Sequence, residues 1–165
     1  MQKKHILLLL VIVALAAGIF LRHYFSAEQV VKRKLLRAED GFEKEQFIAA
    51  ILPIDRNYRD PYGLDRESLA GYIKAAMDNY DNLNAEISFL GLTKTENEVR
   101  MPVRFWISAS QGGSSGYVLG SRDEPCTAVF VWRKGTQGYK ITTTDELNVP
   151  GHRDEIRRRI SGTMK

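Results

Sequence analysis

A short segment of this sequence brings together the side chains that could carry out acid–base chemistry. Residues 54–63 (IDRNYRDPYG) contain two carboxylates, Asp55 and Asp60, and two phenols, Tyr58 and Tyr62. An aspartate that is desolvated in a pocket has a raised pKa and can act as a general base. A phenol beside it can donate a hydrogen bond to a developing oxyanion. The segment therefore predicts a pocket in which one of the two aspartates takes a proton.

The same segment can also be interpreted as a set of turns. Asp60, Pro61 and Gly63 are residues typical of turns. In this interpretation the aspartates pair with Arg56 and Arg59, and the polar side chains are structural. The sequence leaves both interpretations open.

Two further patterns predict no catalysis. Residues 112–116 (GGSSG) match the G-x-S-x-G nucleophile elbow, which needs a strand before the serine and a helix after it. Because residues 117–125 show no helical pattern, we predict a flexible hairpin loop there instead. The three histidines and Cys126 have no recognisable metal-ligand spacing. We therefore assign no catalytic residue, and we expect neither a metal ion nor a cofactor.

Hydrophobic periodicity predicts three helices on the two sides of the polar segment. Apolar residues recur at helical spacing over residues 28–38 and 42–52, with a break at Gly41. Residues 65–80 form a third amphipathic pattern, and Asp65 is suited to cap its first turn. These helices must position the polar segment between them.

From residue 85 the apolar period changes to two, which indicates β-strands. The clearest strand covers residues 99–107, where Pro102 suggests a sheet edge or a bulge. Its alternation places Val103 and Phe105 toward the helices, and Trp106 on the opposite face as a candidate interface residue. Helices followed by a short antiparallel meander predict an α+β fold, with the helices packed on one face of a curved sheet.

An uninterrupted apolar run occupies residues 6–21, behind a basic start. As a helix, these 16 residues would extend about 24 Å, which is short for a bilayer core of about 30 Å. Residues 14–16 (ALA) fit a signal-peptidase site, so cleavage is the alternative. We predict that residues 1–25 are an uncleaved, single-pass transmembrane anchor. The domain would then lie on the extracytoplasmic side, which is the periplasm in a bacterium.

The charge of the chain is unevenly distributed. The formal net charge is +4, but residues 38–151 hold 12 Lys or Arg against 17 Asp or Glu, a net charge of −5. A nucleic-acid-binding protein would need basic residues on the body of the domain, so this distribution argues against that class. The basic excess lies in the flanks, including a basic tail at residues 151–165, where it is either solvated or in contact with anionic lipid.

The order of these elements resembles the nuclear transport factor 2-like superfamily, a cystatin-like, cone-shaped α+β fold shared with SnoaL-like cyclases. The resemblance covers residues 28–148 and rests on two helices, the segment YRDPYG at 58–63, a third helix and four antiparallel strands. It implies a sheet curled around a pocket that the helices close. Some members are isomerases, dehydratases or hydrolases, others bind ligands or partners, and membrane-anchored relatives serve as periplasmic assembly pieces of secretion systems. No acid–base set of the enzymatic members matches this chain residue by residue.

These observations predict that residues 26–150 form a membrane-tethered, non-catalytic pocket domain that binds a small apolar ligand or a protein partner. One alternative is a small isomerase-, dehydratase- or hydrolase-like enzyme with an aspartate base. The other is an assembly subunit of an envelope complex that dimerises through its sheet. The predicted partners are the membrane, through residues 6–21, and an envelope protein or a second copy of the chain. The residues predicted to bind a ligand are Tyr58, Asp60, Tyr62, Tyr72, Val103 and Phe105.

Overall fold

A computed structural model describes residues 26–150 of the chain. The predicted anchor and the basic tail lie outside the described residues. Within residues 26–150, no helix is long and apolar enough to cross a membrane. The described elements, in chain order, are α1 (Ala27–Glu43), α2 (Phe47–Ile51), α3 (Arg66–Asn79), β1 (Asp81–Phe89), β2 (Thr93–Lys94), β3 (Glu98–Gln111), β4 (Ser114–Leu119), β5 (Cys126–Gly135) and β6 (Gly138–Asn148).

The strands form one antiparallel sheet in the order β1-β3-β5-β6, with β2 and β4 also paired to β3. The ladder shifts register in β1–β3, in β3–β4 and twice in β5–β6. Extra residues of this kind bend a strand and increase its twist, which curves the sheet. The predicted α+β class, with helices packed on a curved antiparallel sheet, is confirmed.

The main core lies between α1 and the centre of the sheet. Val31 and Leu35 are four residues apart, so they project from one face of α1, and both are buried. They pack in the same cluster as Val99, Met101 and Val103, which alternate along β3. Burial of this continuous apolar surface is the main force that holds α1 against the sheet.

Helix α1 does not break at Gly41, as the sequence predicted, but continues to Glu43. A side chain at Gly41 would place its Cβ only 2.6 Å from the Cβ of Ala49. Gly41 is therefore required by the close approach of α2, and α2 begins later than predicted, at Phe47. A glycine that allows close packing looks the same in a sequence as a glycine that ends a helix.

Two predictions about β3 differ from the structure. Pro102 lies in a central strand, not at an edge, at the point where the pairing of β3 passes from β1 to β2. The Pro102 carbonyl accepts a hydrogen bond from Leu90 N, on the side of β3 away from β5. The nitrogen and carbonyl of one strand residue point to the same side, so the N–H that proline lacks would not have bonded to β5. Trp106 is only 8% exposed within the chain, which leaves little area for a partner.

The GGSSG segment forms the predicted hairpin but not the predicted loop. Gly112 and Gly113 alone make the turn, with φ of 58° and 84°, and Ser114 already pairs with Gln111. Positive φ at both turn positions is the geometry that a two-residue hairpin of this twist requires. The serines belong to β4, followed by no helix, and therefore do not form a nucleophile elbow.

Candidate ligand-binding site

A cavity of about 600 Å³ lies between the helices and the concave side of the sheet. Its walls are contributed by α1, α2, α3, five of the six strands and the connector between α2 and α3. Nearly all the lining side chains are apolar. Representative members are Leu35, Phe42, Ile73, Ile107, Phe130 and Ile141.

Helix α3 covers one side of this cavity. Its first turn is capped by Asp65, whose carboxylate accepts a hydrogen bond of 2.8 Å from Ser68 N. The bonds to Ser68 lower the pKa of Asp65 below its usual range. The apolar stripe of α3 lines the cavity and also packs against the edge of the core, so Leu69 and Ile73 are only half-buried. Tyr72 is 56% exposed.

The connector runs beside β6 and thereby carries its polar side chains into the cavity. Ile141 N donates to Pro53 O, and Asp55 N donates back to Ile141 O, at 2.8 and 2.9 Å. Arg59 N then donates to Thr142 O at 3.2 Å. These bonds attach the connector to the sheet at the position where the segment 58–60 meets the middle of β6.

A buried polar network forms at this junction. The Tyr58 hydroxyl lies 3.1 Å from Asp60 Oδ2 and 2.9 Å from Thr144 Oγ1, and all three residues are buried. Both contacts are satisfied when Tyr58 donates to the carboxylate and accepts from the threonine hydroxyl. Burial, helped by the charge of Asp60, raises the pKa of Tyr58 well above its ordinary value of 10. The phenol therefore stays protonated at neutral pH and acts as a donor.

One oxygen of Asp60 stabilises the turn, and the other faces the cavity. Its Oδ1 accepts hydrogen bonds of 2.9 Å from both Tyr62 N and Leu64 N, which is the turn chemistry that the sequence suggested. Its Oδ2 faces Tyr58 in the cavity. Among residues 26–150, no ion pair joins Asp60 to Arg56 or Arg59, so the predicted arginine pairing is absent.

The predicted ligand-binding residues do not all reach the cavity. Tyr58, Asp60, Tyr72 and Phe105 line it. Val103 does not, because it lies two residues before Phe105 on β3 and is fully buried in the core cluster with residues of α1. Tyr62 does not line it either: its hydroxyl accepts a hydrogen bond of 2.6 Å from Leu147 N and ties the connector to β6. Ligand binding by the four lining residues stays a prediction.

Thr144 is a site residue that the sequence did not reveal. Ile141 and Thr144 both line the cavity although they are three residues apart, which strict alternation along a strand does not allow. The reason is a register shift, because Trp132 pairs with Ile141 while Val131 pairs with Thr143. The only available signal was the run of threonines at 142–144, which does not show which of them faces inward.

Few side chains that line the cavity can accept or donate a proton. Asp60 is the carboxylate among its lining residues, and its other titratable groups are the phenols of Tyr58 and Tyr72. Within the part of the chain that the structure describes, no three His, Cys, Asp or Glu side chains are grouped so that they could hold a metal ion. The geometry suits recognition of an apolar molecule with one polar group.

Comparison with known proteins identifies the fold. No family model matches this sequence, and no curated protein matches it. Solved structures do match. A nuclear transport factor 2-like superfamily protein from Salmonella enterica is 12% identical with a TM-score of 0.61, over 76% of this chain and 92% of its own. A putative scytalone dehydratase from Novosphingobium aromaticivorans is 9% identical with a TM-score of 0.61, over 74% of this chain and 83% of its own.

A third match is a domain of unknown function with a cystatin-like fold from Nostoc punctiforme. It is 14% identical with a TM-score of 0.58, over 73% of this chain and 75% of its own. At such identities the likeness establishes the fold alone. The described domain therefore has the nuclear transport factor 2-like, cystatin-like fold that the sequence resembled.

Proposed function

We propose that this domain binds a small, neutral and mostly apolar ligand in the cavity between α3 and the sheet. The observation that carries the proposal is the cavity itself, about 600 Å³ in volume and lined by apolar side chains except at the Tyr58–Asp60–Thr144 network. This volume lies within the range of about 300–1,000 Å³ that is usual for small-molecule sites.

The polar network supports a particular kind of ligand. The carboxylate of Asp60 lies at the cavity wall, and no cation is paired with it among the described residues. A negatively charged ligand group placed there would be repelled, whereas a hydroxyl could donate to Asp60 Oδ2 or exchange hydrogen bonds with Thr144 Oγ1. The ligand class is therefore an uncharged molecule with an apolar body and one hydroxyl or amide.

The test replaces each of two neighbouring alanines of α3 by phenylalanine, one that lines the cavity and one that does not, and compares ligand affinity. Ala76 lines the cavity, whereas Ala75 is exposed on the same helix. We expect Ala76→Phe to weaken binding of a neutral apolar dye such as Nile red at least about tenfold, because the new ring occupies the ligand volume. Ala75→Phe should bind as the wild type does. Wild-type affinity in both variants would contradict the proposal.

A second candidate function is proton-transfer catalysis in the same cavity. The observation that favours it is the pair formed by a carboxylate, Asp60, and a phenol that stays protonated, Tyr58, 3.1 Å apart on an apolar wall. Asp60→Asn keeps the oxygen that accepts from Tyr62 N and Leu64 N but removes the base. If the bound ligand is converted to a product detectable by mass spectrometry, and Asp60→Asn binds it without conversion, the domain is an enzyme. Conversion by the variant at the wild-type rate would exclude this role.

We further propose that residues 6–21 hold this domain at a membrane, with the domain on the extracytoplasmic side. The support is the uninterrupted apolar run, which lies a few residues before the start of α1 at Ala27. A cavity for an apolar ligand is consistent with that location, because such molecules partition into bilayers.

A further inference from the structure

A second cavity of about 410 Å³ lies on the other side of the connector from the polar network. Its walls are α2, the connector residues 54–57, the first residue of α3 and the β5–β6 turn at residues 135–138. Ile54 lines both cavities, so it forms part of the partition between them.

The polar wall of this second cavity is cationic. Arg56, Arg66 and Lys140 line it, against a single carboxylate, Asp55. One oxygen of Asp55 is already engaged by Asn57 N at 2.8 Å. Among residues 26–150, no ion pair neutralises any of the three cations.

A fourth cation adds to the positive charge at this end of the domain. Lys34 Nζ donates to Tyr139 O at 2.6 Å, next to the β5–β6 turn. Burial lowers the pKa of Lys34, and the charge of Lys140 lowers it further. The two ammonium groups therefore lie close enough to repel each other.

Arg66 supplies a donor that lacks an acceptor. Its Nε is buried and has no hydrogen-bond partner within the described domain. A buried donor without a partner is destabilising, so native proteins usually satisfy it. An oxyanion in the cavity would do so, because a guanidinium presents Nε–H and Nη–H as a planar fork that matches phosphate or carboxylate oxygens.

The opposite wall is apolar and open to solvent. Ile48 and Leu52 project from the α2 side of the cavity and are 70% and 61% exposed, beside the buried Ile51 and Ile54. Lys140 Nζ donates a hydrogen bond to Leu52 O, but no carboxylate of the described residues forms an ion pair with any of the three cations. Exposed aliphatic side chains next to such cations suit a ligand that has both an apolar part and a negative charge. We propose that this cavity binds an amphiphilic oxyanion, that is, a phosphate or carboxylate group carried on an apolar chain.

The test follows the Arg66 Nε–Hε resonance of the 15N-labelled full chain in nanodiscs of zwitterionic phosphatidylcholine. Hexyl phosphate should shift this resonance, inorganic phosphate should do so at least about tenfold more weakly, and neutral hexyl glucoside should not. The ligand could be a lipid headgroup or a free amphiphile, and replacing part of the phosphatidylcholine by phosphatidylglycerol distinguishes them. A shift of the Arg66 resonance without added hexyl phosphate identifies a lipid headgroup, and no shift until hexyl phosphate is added identifies a free amphiphile. If neither hexyl phosphate nor phosphatidylglycerol shifts the resonance, the proposal is wrong.

Matched variants locate the site. Arg66→Gln and Lys140→Gln should each weaken hexyl phosphate binding by about tenfold or more, the latter read at Arg66 and the former at backbone amides of the β5–β6 turn. Arg122→Gln removes the same charge from an exposed position outside the cavity and should leave affinity unchanged. If Arg66→Gln does not fold, Lys140→Gln alone decides. Equal losses of hexyl phosphate affinity in Lys140→Gln and Arg122→Gln would overturn the proposal. Neither residue lines the apolar cavity that Ala76→Phe tests, so the two proposals can fail independently.

Discussion

At the residue scale, the hydroxyl of Tyr58 links two parts of the chain that are far apart in sequence. It joins the connector to Thr144, 86 residues later, and holds Asp60 Oδ2 at the cavity wall. All three residues are buried, so the hydrogen bonds between them replace bonds that these groups would otherwise make to bulk water. The network therefore both stabilises the fold and sets the polar end of the proposed ligand site.

Tyr58→Phe tests the contribution of this network to stability. We expect the free energy of unfolding in urea at pH 7 to fall by about 1–3 kcal/mol, because buried Asp60 and Thr144 lose a partner. Tyr72→Phe is the control, since Tyr72 is 56% exposed and its change should be close to zero. Equal stability of the two variants would show that the network contributes nothing.

The Tyr58→Phe variant should also change how stability depends on pH. Burial raises the pKa of Tyr58 in the folded state above the ordinary value of 10, so above pH 10 the unfolded chain loses this proton while the folded chain keeps it. Wild-type stability should then fall with rising pH, by up to about 1.4 kcal/mol per pH unit for this group. That part of the slope should be missing in Tyr58→Phe. Urea midpoints measured from pH 9 to 11 decide the point.

At the scale of elements, the contact between α1 and α2 depends on a missing side chain. Gly41 lies inside α1, and a Cβ there would meet Ala49 at 2.6 Å and the backbone nitrogen of Ala50 at 3.0 Å. Gly71, in α3, has no heavy atom within 4 Å of the same hypothetical Cβ. Replacing each glycine by alanine therefore adds the same methyl group, at a crowded position in α1 and at an open position in α3.

Gly41→Ala and Gly71→Ala should change stability in opposite directions. The first should lower the free energy of unfolding by about 1–3 kcal/mol, because the methyl group forces the helices apart. The second should raise it by about 0.5–1 kcal/mol, because alanine has the higher helix propensity. Thermal unfolding of both proteins gives the comparison. A stabilised Gly41→Ala would mean that α2 does not lie against α1 as described.

The elements themselves were largely predictable, and their exceptions have physical causes. Asp65 caps α3 as expected, since capping depends only on residues three positions apart. The predicted break at Gly41 and the predicted edge or bulge at Pro102 were wrong, because each residue is accommodated by a residue of another part of the chain. Propensity describes what a residue favours locally, and tertiary packing decides whether that preference is used.

At the scale of the whole molecule, the proposed tether can be tested on the full chain. We expect the wild type with a C-terminal tag to stay in the membrane pellet after alkaline carbonate extraction. Val13→Arg should release it, because a cation at the centre of an apolar helix costs about 2.5–3.5 kcal/mol of insertion free energy. Leu90→Arg adds the same charge at an exposed position of the domain and should not. Soluble wild-type protein that begins at Ala17 would establish the cleaved signal instead.

The fold class of the domain and the side chains available for chemistry follow from the sequence alone. Periodicity and capping are local, so three helices, four strands and the α+β class could be predicted from the sequence, whereas the short strands β2 and β4 were not predicted. The sequence also showed that the segment around Asp60 is polar, and it left open whether this aspartate forms a turn or lines a pocket.

Which side chains contact one another depends on the tertiary structure. Thr144 joins Tyr58 because a register shift in β6 turns it inward, and Val103 misses the cavity because α1 covers it. The cations Arg56, Arg66 and Lys140 come together from three separate stretches of chain. Contacts of this kind depend on strand register and helix placement, which are set by packing across the whole core and leave no periodic signal in the sequence.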